Sequence, residues 1–387
     1  MVARISPWHV VAVALYLSFA LTLGTQPVAA NNNQVVVAQL RDADILDPAL
    51  TGAAQEVLNI LINIFDTLVT LDENLQIRPS LATEWQVDGT RWVFKLREGV
   101  RFHNGDVLDA HAVKFTLERN MDPTTNSPQA TRLSAIRGVN VLDDYTLEII
   151  THEPYPALLN ILAGQFIVPP RAVQEMGRDF GLSPVGSGPF RFVQWDMGQQ
   201  IVLEANDDYW YGRPYIDRLI FRPLQETSTR IAAFLAGEVD VAATIPPDRM
   251  NEIRNSPRCS LRANFGTQLY LGLPTLDGPF AKREVRQAVN HAIDVDLIID
   301  ELLNGTAKRM NGPIFENAIG YDATLPAYPY DPDRARELLH EAGYADGFET
   351  TLHYVAAGME GITNLQEVAE IIAAMLGELE SQVVVCA

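Results

Sequence analysis

Residues 65–119, from Phe65 to Arg119, read FDTLVTLDENLQIRPSLATEWQVDGTRWVFKLREGVRFHNGDVLDAHAVKFTLER. Trp85 and Val87 lead into Asp88-Gly89, a pair suited to a tight turn because glycine tolerates positive φ. Beyond the turn, Arg91 to Leu96 alternate polar and apolar, which puts Trp92, Phe94 and Leu96 on one buried face of a hairpin. A second short strand is predicted over Val100 to His103, ending at Asn104-Gly105. Asp109 then stands where an N-cap belongs, ahead of a helix through Arg119 with Ala110, Val113 and Leu117 at helical spacing. No catalytic or metal-binding pattern interrupts the run. A long segment patterned only for shape points to a binding scaffold.

Working outward, Val35 to Leu40 is a β-branched run that reads as a core strand feeding a loop, Arg41 to Gly52, and a helix is predicted over Gln55 to Asp66. Two alternating runs around Asp143-Asp144 predict a hairpin over Val139 to Ile150. Strand character resumes at Phe190 to Val193, Ile201 to Leu203 and Val239 to Ala243, with a helix over Ser228 to Ala236 that Gly237 stops. Leu269 to Leu273 reads as a short apolar strand carrying the chain across into a strongly helical region. There Glu284 to Ile293, Asp296 to Asn304 and Pro332 to Ala342 are predicted helices, the last capped by Asp331 and ended by Gly343. Leu365 to Leu376 is a further amphipathic helix.

The opening stretch resembles the solute-binding proteins of ABC importers of the dipeptide, oligopeptide and nickel class. Further blocks match in order: Leu46-Asp47-Pro48, Gly186-Ser187-Gly188-Pro189-Phe190, Asn206-Asp207-Asp208-Tyr209-Trp210, Ala236-Gly237-Glu238-Val239-Asp240, Val285-Arg286-Gln287-Ala288 with Ala292-Ile293-Asp294, and Tyr330-Asp331-Pro332 with Ala335 through Gly343. One departure is Ala112, where the family usually carries an acid, so the capping box behind Asp109 lacks its return partner. The resemblance implies an α/β fold of the two-lobed, type II periplasmic-binding-protein kind. Its expected organisation is a first lobe over residues 31–265, an α/β subdomain inserted at about 71–185, and a partial second lobe over 266–387. It also implies that the chain should run on past the last helix, so a shortened or frameshifted member is expected, with a natural short form whose second lobe closes differently as the other reading. The acidic residue with which the family holds a ligand's amine would then lie downstream of Ala387.

Residues 1–30 read as a cleavable secretory leader. Arg4 and His9 precede an apolar run from Val10 to Leu23 that is short for a membrane span, and Val28-Ala29-Ala30 fits a cleavage site. An uncleaved anchor is the other reading of the same run. The formal charge of −20 disfavours nucleic acid and anionic membranes as partners. Only Cys259 and Cys386 are present, too few for a disulfide scaffold, and Cys259 is expected to be free and buried.

Seven histidines invite a metal hypothesis, yet no two fall at i, i+4 and no Cys/His cluster exists, so neither metal nor cofactor is expected. His103 is assigned to stabilising its own turn, and His111, His291 and His340 to the surface. Gly186-Ser187-Gly188 lacks the GxSxG spacing, and Pro189 blocks the helix a nucleophile elbow needs. The glycines are better explained by close backbone packing. Asp42, Asp44 and Asp47 lack the glycine and terminal glutamate of a calcium loop.

The resemblance places the loop after the first strand at the ligand cleft, which makes Gln39, Arg41, Asp42 and Asp44 candidate contacts and leaves Asp47-Pro48 to shape the loop. Gly266 to Tyr270, at the crossover, is the second candidate lining. Gln268 and Tyr270 are candidates there, with a core role equally open. The expectation is a monomeric, periplasmic solute-binding component that captures a small solute, foremost a di- or oligopeptide, and hands it to the membrane subunits of a permease, with no covalent step. A truncated remnant that no longer binds, and a secreted hydrolase, remain the alternatives.

Overall fold

The computed structural model describes residues 33–386 apart from 53, 263–267, 315, 317, 319, 356–363 and 380. The leader expected at 1–30 and the Gly266 end of the second candidate lining lie outside the described residues.

Strand β1 (Gln34–Gln39) opens the chain, and helix α1 (Gln55–Ile64) follows the first loop. Val69–Leu71 and Ile77–Pro79 form a short antiparallel pair, β2 and β3. The hairpin and the helix of the opening stretch then fold as read. β4 (Ala82–Asp88) and β5 (Arg91–Leu96) pair around Gly89, whose φ of 59° is the left-handed conformation the turn requires. Trp92, Phe94 and Leu96 are buried, with the first two rings stacked at 6.3 Å. Helix α2 (Ala110–Met121) begins where Asp109 accepts from the Ala112 amide at 3.0 Å, a cap worth about 1 kcal/mol. The helix covers a four-stranded antiparallel sheet in the order β4-β5-β7-β6, with β6 at Ile136–Asp143 and β7 at Thr146–Thr151.

The expected strand over Val100 to His103 does not form. Gly99 and Gly105 take φ of 80° and 88°, the chain between them turns back on itself, and only one bridge, Arg101 to Val107, survives.

A second, five-stranded sheet runs β11-β1-β10-β9-β8, from β8 (Phe190–Asp196), β9 (Gln200–Ala205), β10 (Arg218–Pro223) and β11 (Val241–Ala242). β1 is parallel to both β10 and β11, while β8 and β9 run antiparallel on the far side. Its central strands are apolar on both faces, as buried strands must be. Leu219, Phe221, Ile201 and Leu203 pack toward α1, whereas Val36, Ala38, Ile220 and Val202 pack toward Ala233 and Phe234 of helix α3 (Thr227–Ala236). Gly237 ends α3 in the left-handed conformation.

Residues 268–386 have a core of their own, built on α4 (Arg283–Ala292), α5 (Pro332–Glu341) and α6 (Leu365–Gly377), with a parallel pair of strands, β12 (Glu349–His353) and β13 (Gln382–Cys386). Asp331 caps α5 through the Arg334 amide. Three expectations fail here. Leu269 to Leu273 is irregular, because no strand lies beside it among the described residues; Leu271 and Leu273 still pack on the core while Leu269 and Tyr270 are exposed. The helix expected over Asp296 to Asn304 is one α turn followed by a π turn over Ile298–Leu302, and left-handed Asn304 and Gly305 end it. His291 is half-buried rather than a surface residue: its Nδ1 lies 2.9 Å from the Pro329 carbonyl and its ring meets Tyr328 edge-on. Cys259 is likewise half-buried, on an irregular segment after a short helix, and no disulfide engages it. No helix among the described residues is long and apolar enough to cross a membrane.

Candidate functional site

The parallel strands β1, β10 and β11 end at one edge of the five-stranded sheet. In open α/β sheets the crevice outside such carboxyl ends is where ligands bind. The loop from Arg41 to Gly52 leaves β1 at this edge. Because β9 runs antiparallel to β10, the β8–β9 turn lies at the same edge.

Two devices, one buried and one half-buried, shape that loop. Asp47, 1% exposed, takes a two-pronged contact from Arg119 of α2 at 2.9 and 2.6 Å and also accepts from the Ala49 amide. Asp42 reaches across to the β8–β9 turn, where its carboxylate accepts from Gly198 N at 2.7 Å and Trp195 Nε1 at 3.2 Å. Asp42 is therefore a strut with its lone pairs engaged. Asp44 is exposed and, among the described residues, accepts only from the neighbouring Ile45 amide, and Arg41 is exposed.

Gln39 differs. Its side chain is 1% exposed, its amide nitrogen donates to Arg41 O at 3.2 Å, and its Oε1 is buried with no donor among the described residues. At the other end of the loop, Thr51 Oγ1 is also buried without a partner among the described residues, and Gln129, which reaches the Thr51 carbonyl at 3.4 Å, has an Oε1 likewise unpartnered among them. Buried polar atoms are nearly always paired with protein, ligand or ordered water, so acceptors left open at both ends of one loop are places that a donor from water or a solute can fill. Thr51 and Gln129 were missed from sequence, since neither carries a charge or falls in a motif.

The second candidate lining stands apart from these residues. Gln268 is half-buried and donates to Pro313 O at 3.4 Å, while Tyr270 is 81% exposed. No hydrogen bond joins either to the 39–52 loop among the described residues.

The matched sequence blocks meet elsewhere, around Asp66. Its carboxylate accepts from Ser187 Oγ at 2.8 Å, Tyr209 OH at 2.9 Å and Trp210 Nε1 at 3.1 Å. Burial raises its pKa, and those three hydrogen bonds work against the rise; the Tyr209 hydroxyl is pushed up by burial and by Asp66 itself. His103 holds the same Gly186–Gly188 segment from the opposite side rather than stabilising its own turn. Gly186 N lies 3.3 Å from Nδ1 and Nε2 lies 3.0 Å from Gly188 O, which requires a neutral ring with the proton on Nε2. Burial pulls the His103 pKa down to about 4.

Serine, histidine and aspartate thus gather here, but not as a catalytic relay. The Ser187 hydroxyl donates to the acid, both histidine nitrogens are taken by backbone, and Ser187 is 1% exposed. The glycines are there for space: a Cβ on Gly186 would fall 1.9 Å from Ile64 O. Among the described residues, no group of three or more His, Cys, Asp or Glu side chains converges as a metal site.

Residues 76–385 match the family of bacterial extracellular solute-binding proteins, family 5. The chain is 33% identical over 75% of its length to a glutathione-binding protein GsiB of Pectobacterium atrosepticum, and 30% identical over 88% to that of Escherichia coli K12. It spans 57% and 66% of those two relatives' lengths. Among solved structures, the DppA periplasmic binding protein of Helicobacter pylori in complex with the peptide STSA superposes with a TM-score of 0.75 at 29% identity, over 91% of this chain and 73% of that one. HbpA2 of Haemophilus parasuis gives 0.79 at 27%, over 92% and 75%. The α/β fold is that of the type II periplasmic binding proteins, and these relatives are binding proteins rather than enzymes. The chain belongs to the family 5 bacterial extracellular solute-binding proteins.

Proposed function

We propose that this protein is the periplasmic solute-capturing component of an ABC importer, that its solute is a short peptide or peptide-like amide, and that it works as a monomer delivering to membrane permease subunits. In this reading, residues 1–30 are a leader cleaved near Ala30, 31–265 form one lobe with an insertion at about 71–185, and the remainder contributes to the other. Closure of the lobes on a bound solute gives the form a permease recognises.

The observation that carries the reading is the trio of unpartnered buried acceptors, Gln39 Oε1, Thr51 Oγ1 and Gln129 Oε1, at the ends of the loop on the carboxyl edge of the sheet. Peptide N–H and ammonium groups are the matching donors. Each such bond contributes about 0.5–1.5 kcal/mol, so three give a useful share of micromolar binding. The oxygens are screened from solvent, and the loop has to open for a solute to reach them. Asp42 and Asp44 then serve by shaping the loop, and Arg41, Gln268 and Tyr270 are free to meet the solute as it closes. The glutathione- and peptide-binding relatives support the choice of solute.

The test is calorimetric titration and thermal melting of the purified protein with glutathione, a dipeptide, the tetrapeptide STSA and a nickel–histidine complex. A specific solute at about 100 times its Kd should stabilise the fold by about 2.7 kcal/mol. Gln39→Leu and Gln129→Leu should each weaken binding about 3- to 10-fold. No response to any of these compounds, or binding indifferent to both substitutions, would sink the reading.

A further inference from the structure

Arg230 is the one charged residue on the inward face of α3, and it is 1% exposed. Its guanidinium donates to backbone carbonyls of two chain segments: Leu224 at 2.6 Å and Gln225 at 3.3 Å from Nη1, Ala243 at 2.9 Å from Nε, and Thr244 at 2.7 Å from Nη2. No carboxylate lies within ion-pair distance among the described residues, although Glu226 near the start of the helix acts on it at longer range. Those four carbonyls stand where the chain leaves β10 and β11.

A planar fork with five donors can span two segments, whereas the three donors of a lysine ammonium radiate from a single point. The clamp also accounts for Thr244. Its φ of 57° is unfavourable for a β-branched residue and persists only where its surroundings over-determine it. The clamped segments in turn hold β1, because Leu224 N donates to Gln39 O at 2.8 Å and Ala243 N to Ala38 O at 2.9 Å. Gln39 is thus bracketed by the two strand exits that Arg230 ties together.

We infer that Arg230 is a positioning residue for the solute site, fixing the carboxyl edge of the five-stranded sheet so that the Gln39 side chain is presented in one orientation. This rests on the solute-capture reading above. Arg230 acts through the backbone of residues 224–225 and 243–244 and touches no solute.

Arg230→Lys keeps the charge and the stem but not the fork, which keeps the protein foldable. Two measurements decide the matter on the whole chain. Native-state hydrogen exchange of the variant should quicken at least tenfold at the Leu224 and Ala243 amides and stay unchanged in the β4–β7 sheet. Affinity for whichever of glutathione or STSA the wild type binds should fall at least tenfold. Unchanged exchange at those two amides overturns the clamp. Uniform acceleration in both sheets reduces Arg230 to an ordinary core residue and equally overturns the inference. Unchanged affinity beside a binding wild type removes the positioning role while leaving the solute reading intact, and a wild type that binds neither compound brings down both.

Discussion

Removing the Arg119 guanidinium should be among the most damaging single changes in the first loop, and the reason is the acid it leaves behind. Asp47 is 1% exposed and the Arg119 side chain 15%, so the pair sits where water barely reaches. Losing one partner of a buried pair costs about 3–5 kcal/mol, because the remaining charge is desolvated without compensation. The slight exposure of Arg119 favours the lower figure, about 3 kcal/mol. At about 2–4 °C per kcal/mol for a unit of this size, Arg119→Met should lower the melting temperature by about 6–12 °C. Replacing both partners removes the stranded charge, so Asp47→Leu with Arg119→Met should recover most of the loss apart from the Asp47 bond to the Ala49 amide. Circular dichroism melts of the four proteins in this cycle give the coupling directly. A drop below about 2 °C for Arg119→Met, or a double variant no better than the sum of the singles, would refute the argument.

His103 carries a pH prediction. Its folded pKa, about 4, lies below the ordinary 6.5, so its contribution is complete above pH 6.5 and is lost as pH falls from 6.5 toward 4. The gap is worth at most about 3 kcal/mol, and partial exposure of the ring brings it nearer to 2. His103→Gln, which can donate and accept in similar places, should flatten the melting temperature across that window, whereas parallel profiles for the two proteins would count against the assignment. Asp66 has the opposite sign: its raised pKa means that its ionised form costs stability at neutral pH and that protonation relieves the cost as the pH drops through its folded value. Gly186→Ala has to displace backbone and should cost about 3 kcal/mol, while Gly52→Ala, with nothing within 4 Å of its added methyl, should melt like the wild type; similar melts for both would contradict the close approach. Asp42→Ala should redden Trp195 emission and destabilise by about 1–2 kcal/mol by releasing Gly198 N and the indole N–H, and an unchanged spectrum would mean that the strut is not formed.

The elements legible in the sequence were those whose causes are local. Asp88-Gly89 makes its turn, Asp109 caps its helix, and the alternation of Trp92, Phe94 and Leu96 selects a face, all within a few residues of chain. The failures came where flanking glycines outweigh strand chemistry or where the pairing partner is missing. Val100 to His103 has strand chemistry, yet two left-handed glycines fold it on itself, and Leu269 to Leu273 has no neighbour to pair with among the described residues. Arg230 carries a usable signal: a lone arginine on the apolar helix face that Ala233 and Phe234 share has to find carbonyls or an acid inside. Asp66, an acid set between Phe65 and Leu68 in an apolar run, gave the same kind of warning.

Between the Asp47 and Asp66 networks and the 39–52 loop, shape and binding differ in whether polar groups are satisfied. Among the residues that made the family recognisable, Asp47, Asp66, Ser187, Tyr209 and Trp210 spend their hydrogen bonds on one another or on residues such as Arg119, a network that is rigid and has little left to offer a ligand, whereas Trp92 Nε1 and Arg97 Nε are buried without a partner among the described residues. Gln39, Thr51 and Gln129 contributed nothing to recognition and retain open acceptors. A scaffold selected for many solutes should behave this way, because residues that define the fold cannot vary with the cargo while those that meet it must. It follows that exchanging the side chains at 39, 51 and 129 should change which solute is held at little cost in stability, whereas Asp66→Ala, which strips three donors of their acceptor, should cost stability whatever the solute. Melting temperatures and titrations on the same variants would separate the two, and a large stability loss at 39 or 129 would show that those oxygens serve the fold after all.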